Sequence, residues 1–471
     1  MSTTVDLSLA TRPSDADAVP GLIEDLTSLN GNWTEDDEET RHKMVIKARS
    51  LLQSLMTPRE QMLQHTWADP GLDAALTTGV DVGLWKLMVK DGVDAVHKVD
   101  HLARSLGMDP ELLGRLLRHV CAMGHLVEVA QDEYKLTNFT KSMSLDVIGD
   151  SYVCLLGGIG RSPIDFYKFL RETNWQNPVD AAHTAFHASY NSDVPNCMVY
   201  LGSIGMGPQM NHHMGGYRQG RLPWHHPKIY PVEKELFPGT DASSDSPLVV
   251  DVAGGLGHDI DEFKRNYPNH PGKLILQDRP TVIEDVKDID PSIQRMPHDF
   301  LTEQPIKGAR AYFMHSILHD WPDDVCQKIL ARLAEAMKPG YSKLLIFECV
   351  IPRTGAYWEA TAGDMLMMTQ LSACERTEDQ WHQLIEGSGL GLKIVKFWSS
   401  GLSAVENVIE CELAVNRKAT TSTCIMAVYE IGRQSQDEVN ETNSTNITVC
   451  RSRMLRRARR HGSGIESVGD E

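Results

Sequence analysis

The feature that most constrains this chain is an apolar run that ends in a carboxylate and a cluster of glycines, Leu248-Val-Val-Asp-Val-Ala-Gly-Gly-Leu-Gly-His258. It reads as a buried strand feeding a tight turn, with Asp251 near the strand's C-terminal end. Gly254, Gly255 and Gly257 remove side chains where a ligand must touch backbone, and they permit positive φ. The polar stretch 258–266 then reads as a helix whose first N–H groups are free. This places a nucleotide-type site at the carboxyl edge of an α/β sheet. Alone, the loop could serve NAD, FAD, a phosphate or S-adenosylmethionine (SAM), or only pack a helix on a strand. The order A-G-G-L-G is not the dinucleotide pattern G-x-G-x-x-G, and no G-K-[ST] follows.

Two further strand ends narrow the choice. Lys273-Leu-Ile-Leu-Gln-Asp278 is a short strand closing on an acid. It lies about 20 residues past the glycines, where a carboxylate can take both ribose hydroxyls of a nucleoside. Pro280 then starts a helix. Next, His298-Asp299-Phe300 sets an acid beside an aromatic ring, which suits an adenine amine and a base face; the alternative for Asp299 is a turn acid.

The segment Ala311-Tyr-Phe-Met-His-Ser-Ile-Leu-His-Asp-Trp-Pro-Asp-Asp324 runs from a strand into a helix opened by Pro322 and two acids. His319 falls just past the strand's carboxyl end, with the intrinsic pKa to take a proton from a hydroxyl. Glu348 closes another apolar strand, and Glu375 precedes an amphipathic helix. The competing role for Glu375 is a helix-capping partner.

With these pieces in place the chain resembles class I SAM-dependent O-methyltransferases of the caffeate/flavonoid type, in particular their fungal natural-product branch. The resemblance rests on D-V-A-G-G-L-G at 251–257, Q-D-R-P at 277–280, H-D-F at 298–300, I-L-H-D-W-P-D at 317–323, F-E-C-V-I-P at 347–352 and C-E-R-T-E-D-Q-W at 374–381, and spans roughly 60–414. It implies a Rossmann-like SAM domain in which Gly254, Gly255, Asp278, Asp299 and Phe300 hold SAM. His319 would be the catalytic base, flanked by Glu348 and Glu375. His315, also a cofactor-binding candidate, stands where the family has Arg or Lys, which argues against a fixed positive charge there. Ala253 and Ala373 replace common glycines.

The chemistry needs no metal. Transfer from a sulfonium is an in-line displacement, and the protein must align the acceptor oxygen and remove its proton. The expectation for the base is an ordinary imidazole pKa near 6–7.

The organisation follows. Residues 1–58 form an acidic, partly helical segment. Residues 59–150 carry helix–turn–helix spacing from His101 and a hairpin turning at Gln131-Asp132, a winged helix. In the resembled family that domain dimerises; a DNA-binding role is the runner-up, disfavoured by 46 basic against 64 acidic residues. Residues 151–246 link the domains and wall the acceptor pocket, with a Met- and His-rich stretch at 206–220; Met365, Met367, Met368 and Trp381 are candidates for the same wall. Adjacent His212 and His213 lack a third spaced metal ligand. Residues 247–414 form the SAM domain, and 415–471 a Ser/Thr-rich tail with a basic run at 451–460, expected to be disordered.

Nine scattered cysteines, no apolar run of membrane length and no signal-like N-terminus point to a reduced cytoplasmic protein. The expected partners are a second copy and a small phenolic acceptor, with no nucleic acid and no membrane. The main functional alternative is a catalytically idle, SAM-binding regulatory protein; a NAD-dependent oxidoreductase is weaker.

Overall fold

The computed structural model describes residues 5–31, 33–241, 243, 245–399, 401 and 405–414. The tail with its basic run lies outside the described residues.

At the N-terminal end, helices Val19–Asn30 and Glu38–Leu55 pack as a pair. Helices Asp69–Asp81 and Leu84–Gly92 lead to the short strand β1 (His97–Lys98). Two helices follow, Val99–Leu106 and Pro110–Ala122. Gly107 ends the first at φ 68°, and Asp109 caps the second by accepting the N–H of Leu112. Strands β2 (Leu126–Ala130) and β3 (Glu133–Leu136) then form a hairpin turning at Asp132, φ 57°, in a small sheet of order β1-β3-β2. Leu76, Trp85, Met88, Leu102, Leu113, Leu117 and Tyr134 fill the core beneath it.

The main sheet is built from β4 (Pro247–Val252), β5 (Lys273–Asp278), β6 (Gln294–Pro297), β7 (Ala311–His315), β8 (Lys343–Ile351), β9 (Arg376–Thr377), β10 (Leu392–Trp398) and β11 (Glu406–Leu413). Its order is β10-β11-β8-β7-β4-β5-β6, with β9 beside the end of β8. Strands β4 to β9 pair in parallel, while β11 runs antiparallel to β8 and β10. The near-continuous apolar runs of β4, β5, β7 and β8 are explained by cover on both faces. Helix Asp323–Ala336 packs on one face. On the other, Trp224 stacks on Phe263 at 5.5 Å and on Phe313 at 4.7 Å. Chain order reverses at β4, so the carboxyl ends of β4 and β7 frame the crevice where such sheets bind ligands.

The segment 151–246 does not stand apart. Its helices lie against helix Trp358–Leu371, tied by Gln370, which accepts from Ser162 Oγ at 3.2 Å and donates to the Ile159 carbonyl at 3.2 Å.

Candidate active site

The glycine loop is shaped by one buried acid. Asp251 is 1% exposed, and neither of its oxygens has a protein partner. A Cβ at Gly254 would lie 2.4 Å from that carboxyl, so only glycine passes over it. Burial, reinforced by Asp259, holds the Asp251 carboxyl well above the usual carboxylate range. The Gly255 N–H donates to Asp278 Oδ2 at 2.9 Å, which joins the loop to the end of β5. Asp299 is exposed and accepts the Leu301 N–H at 2.9 Å, so it does serve its own turn. Phe300 lies edge-on to Trp321 with centroids 6.1 Å apart. An orphaned carboxylate under a Cβ-free loop, with further acids at the next two strand ends, fits a ligand bringing an ammonium group, ribose hydroxyls and an amine. SAM has that donor set.

His315 corrects one expectation. Its Nδ1 lies 2.8 Å from Asp259 Oδ2 and its Nε2 3.1 Å from Glu406 Oε1. Burial works against the charged ring, but the two carboxylates outweigh it and raise its pKa to about 9. The fixed positive charge argued against from sequence is therefore present at neutral pH. Both ring nitrogens, however, are spent on carboxylates. Arg218 pairs with Asp259 at 2.5 Å, and Arg221 pairs with Glu406 at 2.9 Å.

His319 sits in a 3-10 turn, Leu318–Asp320, directly after β7. Glu348, on the neighbouring β8, accepts the N–H groups of Ile317 at 2.8 Å and Leu318 at 2.7 Å through Oε1. Fully buried Arg376 donates to the carbonyls of Leu318 at 2.9 Å and Trp321 at 3.0 Å, and to Asp323 at 2.7 Å. The turn is thus clamped on both sides. Glu375 Oε1 lies 2.7 Å from His319 Nδ1, while Glu348 Oε2 is 3.9 Å from the same nitrogen. Asp320 Oδ1 stands 3.6 Å from Nε2. Glu375 is itself positioned, since its backbone N–H donates to Asp364 at 3.0 Å. Burial lowers the His319 pKa, but Glu348, Asp320 and Glu375 overcome it and push it up to about 10. The expected value near 6–7 is corrected: the sequence showed the acids, not how many would converge on one ring. The donor atoms of His319, Glu348 and Glu375 lie within 4.8 Å of one another, a spacing a cation could also use. The Nδ1–Glu375 hydrogen bond accounts for it without one.

Other expectations change. Trp381 is not pocket wall: it is fully buried, and its Nε1 donates to the Cys349 carbonyl at 3.1 Å. Met206, Met210 and Met367 pack on a cluster around Phe186, Leu201 and Leu371, whereas Met365 is exposed. His212 and His213 face different partners, Asp150 at 2.6 Å and Ser151 at 2.9 Å. The capping box ahead of helix Glu378–Ile385 is Thr377 with Gln380, so Glu375 is free of that duty. Sequence reasoning missed Arg218, Asp259, Glu406, Asp364 and Arg376. Only Arg376, inside the C-E-R-T segment, carried a signal.

A parallel sheet reversing at a glycine loop, with acids at successive strand ends and a carboxylate-bound histidine beside it, defines the class as Rossmann-like SAM-dependent methyltransferases. The chain belongs to the O-methyltransferase family of fungal secondary metabolism, and SAM is its methyl donor. Residues 236–391 match the O-methyltransferase domain. The O-methyltransferase mfmE of Annulohypoxylon moriforme is 35% identical over 83% of this chain and 95% of its own length. The O-methyltransferase mpaG of Penicillium brevicompactum is 32% identical over 83% of this chain and 98% of its own length. Among solved structures, LepI in complex with SAM superposes with a TM-score of 0.74 at 28% identity, over 84% of this chain and 99% of that one. A structure described as a pericyclic reaction enzyme matches with the same score and identity.

Proposed function

We propose that the protein methylates a hydroxyl of an aromatic secondary metabolite, of polyketide or alkaloid type, with His319 as general base and Gly254, Gly255, Asp278, Asp299 and Phe300 at the cofactor. The observation that carries this reading is the 2.7 Å contact between His319 Nδ1 and Glu375 Oε1. A carboxylate only accepts, so Nδ1 holds its proton and Nε2 is the nitrogen offered to the acceptor. SAM, when bound, supplies a methyl group on a sulfonium with a neutral thioether as leaving group. The chain's residues do the rest. Nε2 takes the hydroxyl proton, and the cation formed lies among Glu375, Glu348 and Asp320. A phenol also titrates near about 10, so proton exchange between the acceptor and this raised imidazole is nearly level.

We also infer the domain plan: a segment 1–58, a winged-helix dimerisation domain 59–150, an acceptor-pocket segment 151–246, a SAM domain 247–414 and a tail 415–471. The helix–helix–hairpin order supports the second, and exposed Trp67, Leu145 and Ile164 offer apolar surface to a second copy. Light scattering should report a dimer; a well-behaved monomer counts against it. Among the described residues no helix is long and apolar enough to cross a membrane, which is compatible with the cytoplasmic reading.

The test is incubation with methyl-labelled SAM and a panel of phenolic polyketides and alkaloids, followed by mass spectrometry. A labelled product supports the reading. SAM binding with no label in any acceptor favours the idle regulatory protein. An acceptor rearranged without gaining a methyl would place the chain with the pericyclic relative.

A further inference from the structure

Three cations meet behind the glycine loop, and they are not equivalent. His315 has both nitrogens committed to Asp259 and Glu406. Arg221 has one Nη on Glu406 and the other on Glu359. Arg218 uses only Nη2, on Asp259 Oδ1, among the described residues. A guanidinium carries five N–H donors in a fixed fork, so most of its capacity is unspent.

Its place is informative. Asp259 is the second residue of helix His258–Asn266, which the glycine loop opens. Arg218 reaches it from the end of segment 206–220, across a cleft of about 680 Å³ that Leu256 and His258 of the loop also line. The guanidinium is close enough to the orphaned Asp251 to oppose the rise in that acid's pKa. Its own side chain is 20% exposed, so the free donors open onto the cleft. An unpartnered buried carboxylate and a cation with free donors therefore stand on either side of one loop. That pairing is complementary to a zwitterion, an ammonium and a carboxylate on one carbon.

We propose that Arg218 binds the carboxylate of the cofactor's amino-acid end, taking over the role that the residue at position 315 cannot fill here. Asp259 holds the guanidinium in place, and His315 acts one step behind by fixing Asp259 and Glu406. The inference rests on SAM as the cofactor, not on the identity of the acceptor or on His319.

The test is calorimetry with S-adenosylhomocysteine, which cannot react, and with its amine analogue lacking the carboxylate. Wild-type protein should bind the homocysteine form about 10- to 100-fold more tightly, as expected for charge-assisted hydrogen bonds. In Arg218→Met that preference should nearly vanish, with the analogue bound as in wild type. Arg218→Lys should recover part of it, since charge without the fork suffices only partly. Equal weakening of both ligands would make Arg218 a structural partner of Asp259 and overturn the proposal. So would a wild-type protein indifferent to the missing carboxylate, a result that needs no variant to fold. A wild type that binds neither ligand takes the cofactor assignment down with it. An intact preference in Arg218→Met, with a raised KM for the acceptor alone, would move Arg218 to the acceptor and also overturn the proposal.

Discussion

His319 Nδ1 lies 2.7 Å from Glu375 Oε1, and Glu375 is in turn held through its backbone N–H by Asp364 at 3.0 Å. The contact sets the ring's tautomer and turns Nε2 toward the acceptor side. Arg376 and Glu348 fix the turn that carries the ring, so little conformational freedom remains for the base. Positioning and proton removal are the two demands of this chemistry, and both converge on one turn after β7.

His319→Ala should retain cofactor affinity and lose turnover, because the ring faces the acceptor proton. Removing a general base typically costs about 10²–10⁴ in rate. His319→Gln should not restore it, since an amide does not take up the proton near neutrality. Raising the pH should partly rescue the alanine variant by ionising the phenol itself. Wild-type turnover in His319→Ala at pH 7 would make the histidine structural.

The pH dependence follows from the raised imidazole. At neutral pH the ring is mostly protonated, so kcat/KM should climb with pH along a limb well above the 6.5 or so of an ordinary histidine. Glu375→Gln removes one of the acids that raise it, and should move the limb toward neutrality. The stability sign is equally fixed. A group whose folded pKa exceeds its unfolded one contributes stability that is complete below about 6.5 and is lost as pH rises toward the folded value of about 10. Urea unfolding should thus show the deficit of Glu375→Gln shrinking between pH 6 and pH 10. A rate limb that stays put in Glu375→Gln would assign it to another group.

Asp278→Ala should weaken SAM binding by about 1.5–3 kcal/mol through loss of charge-assisted hydrogen bonds to the ribose. The variant also frees the Gly255 N–H. Asp278→Asn separates the two effects, since its amide oxygen can still accept from Gly255 while the charge is gone. Calorimetry should therefore rank wild type, Asn and Ala in falling affinity. Unchanged affinity in the alanine variant would remove Asp278 from the site.

Much of this was legible because the signals are local. Strands β4, β5, β7 and β8 are apolar runs ending in Asp251, Asp278, His315 and near Glu348, and a parallel sheet brings such ends to one edge whatever the loops do. The helix opened by Pro322 and the turn at Asp132 are likewise dictated by neighbours in the chain. What stayed hidden depends on distant partners. Arg218 and Asp259 are 41 residues apart, and His315 and Glu406 are 91. No periodicity announces such pairs. The pKa of His319 failed for the same reason: three acids from separate segments converge on it, and their sum exceeds the cost of burial. Trp381 was misplaced because an aromatic in a helix before its register is known suits a wall or a core equally.

The glycine loop supplies a last, paired prediction. Ala253 sits at φ 59°, a left-handed conformation that disfavours a Cβ by roughly 1–2 kcal/mol. Ala253→Gly relieves that strain but frees the unfolded chain, which takes back about 0.5–1 kcal/mol. The net should be unchanged or slightly raised stability in urea, with SAM affinity kept. At Gly254 the geometry reverses the sign. A methyl group there meets the Asp251 carboxyl at 2.4 Å, and that acid is buried with nowhere to retreat. Gly254→Ala should cost about 1–3 kcal/mol of stability, as overpacking does. It should also displace Asp251 from the ammonium it is placed to receive, so calorimetry should show weaker SAM binding. Two adjacent positions, differing by one methyl group in opposite directions, thus give opposite results. If Gly254→Ala bound SAM as wild type does, Asp251 would have no part in shaping the cofactor site, and its buried carboxyl would need another cause.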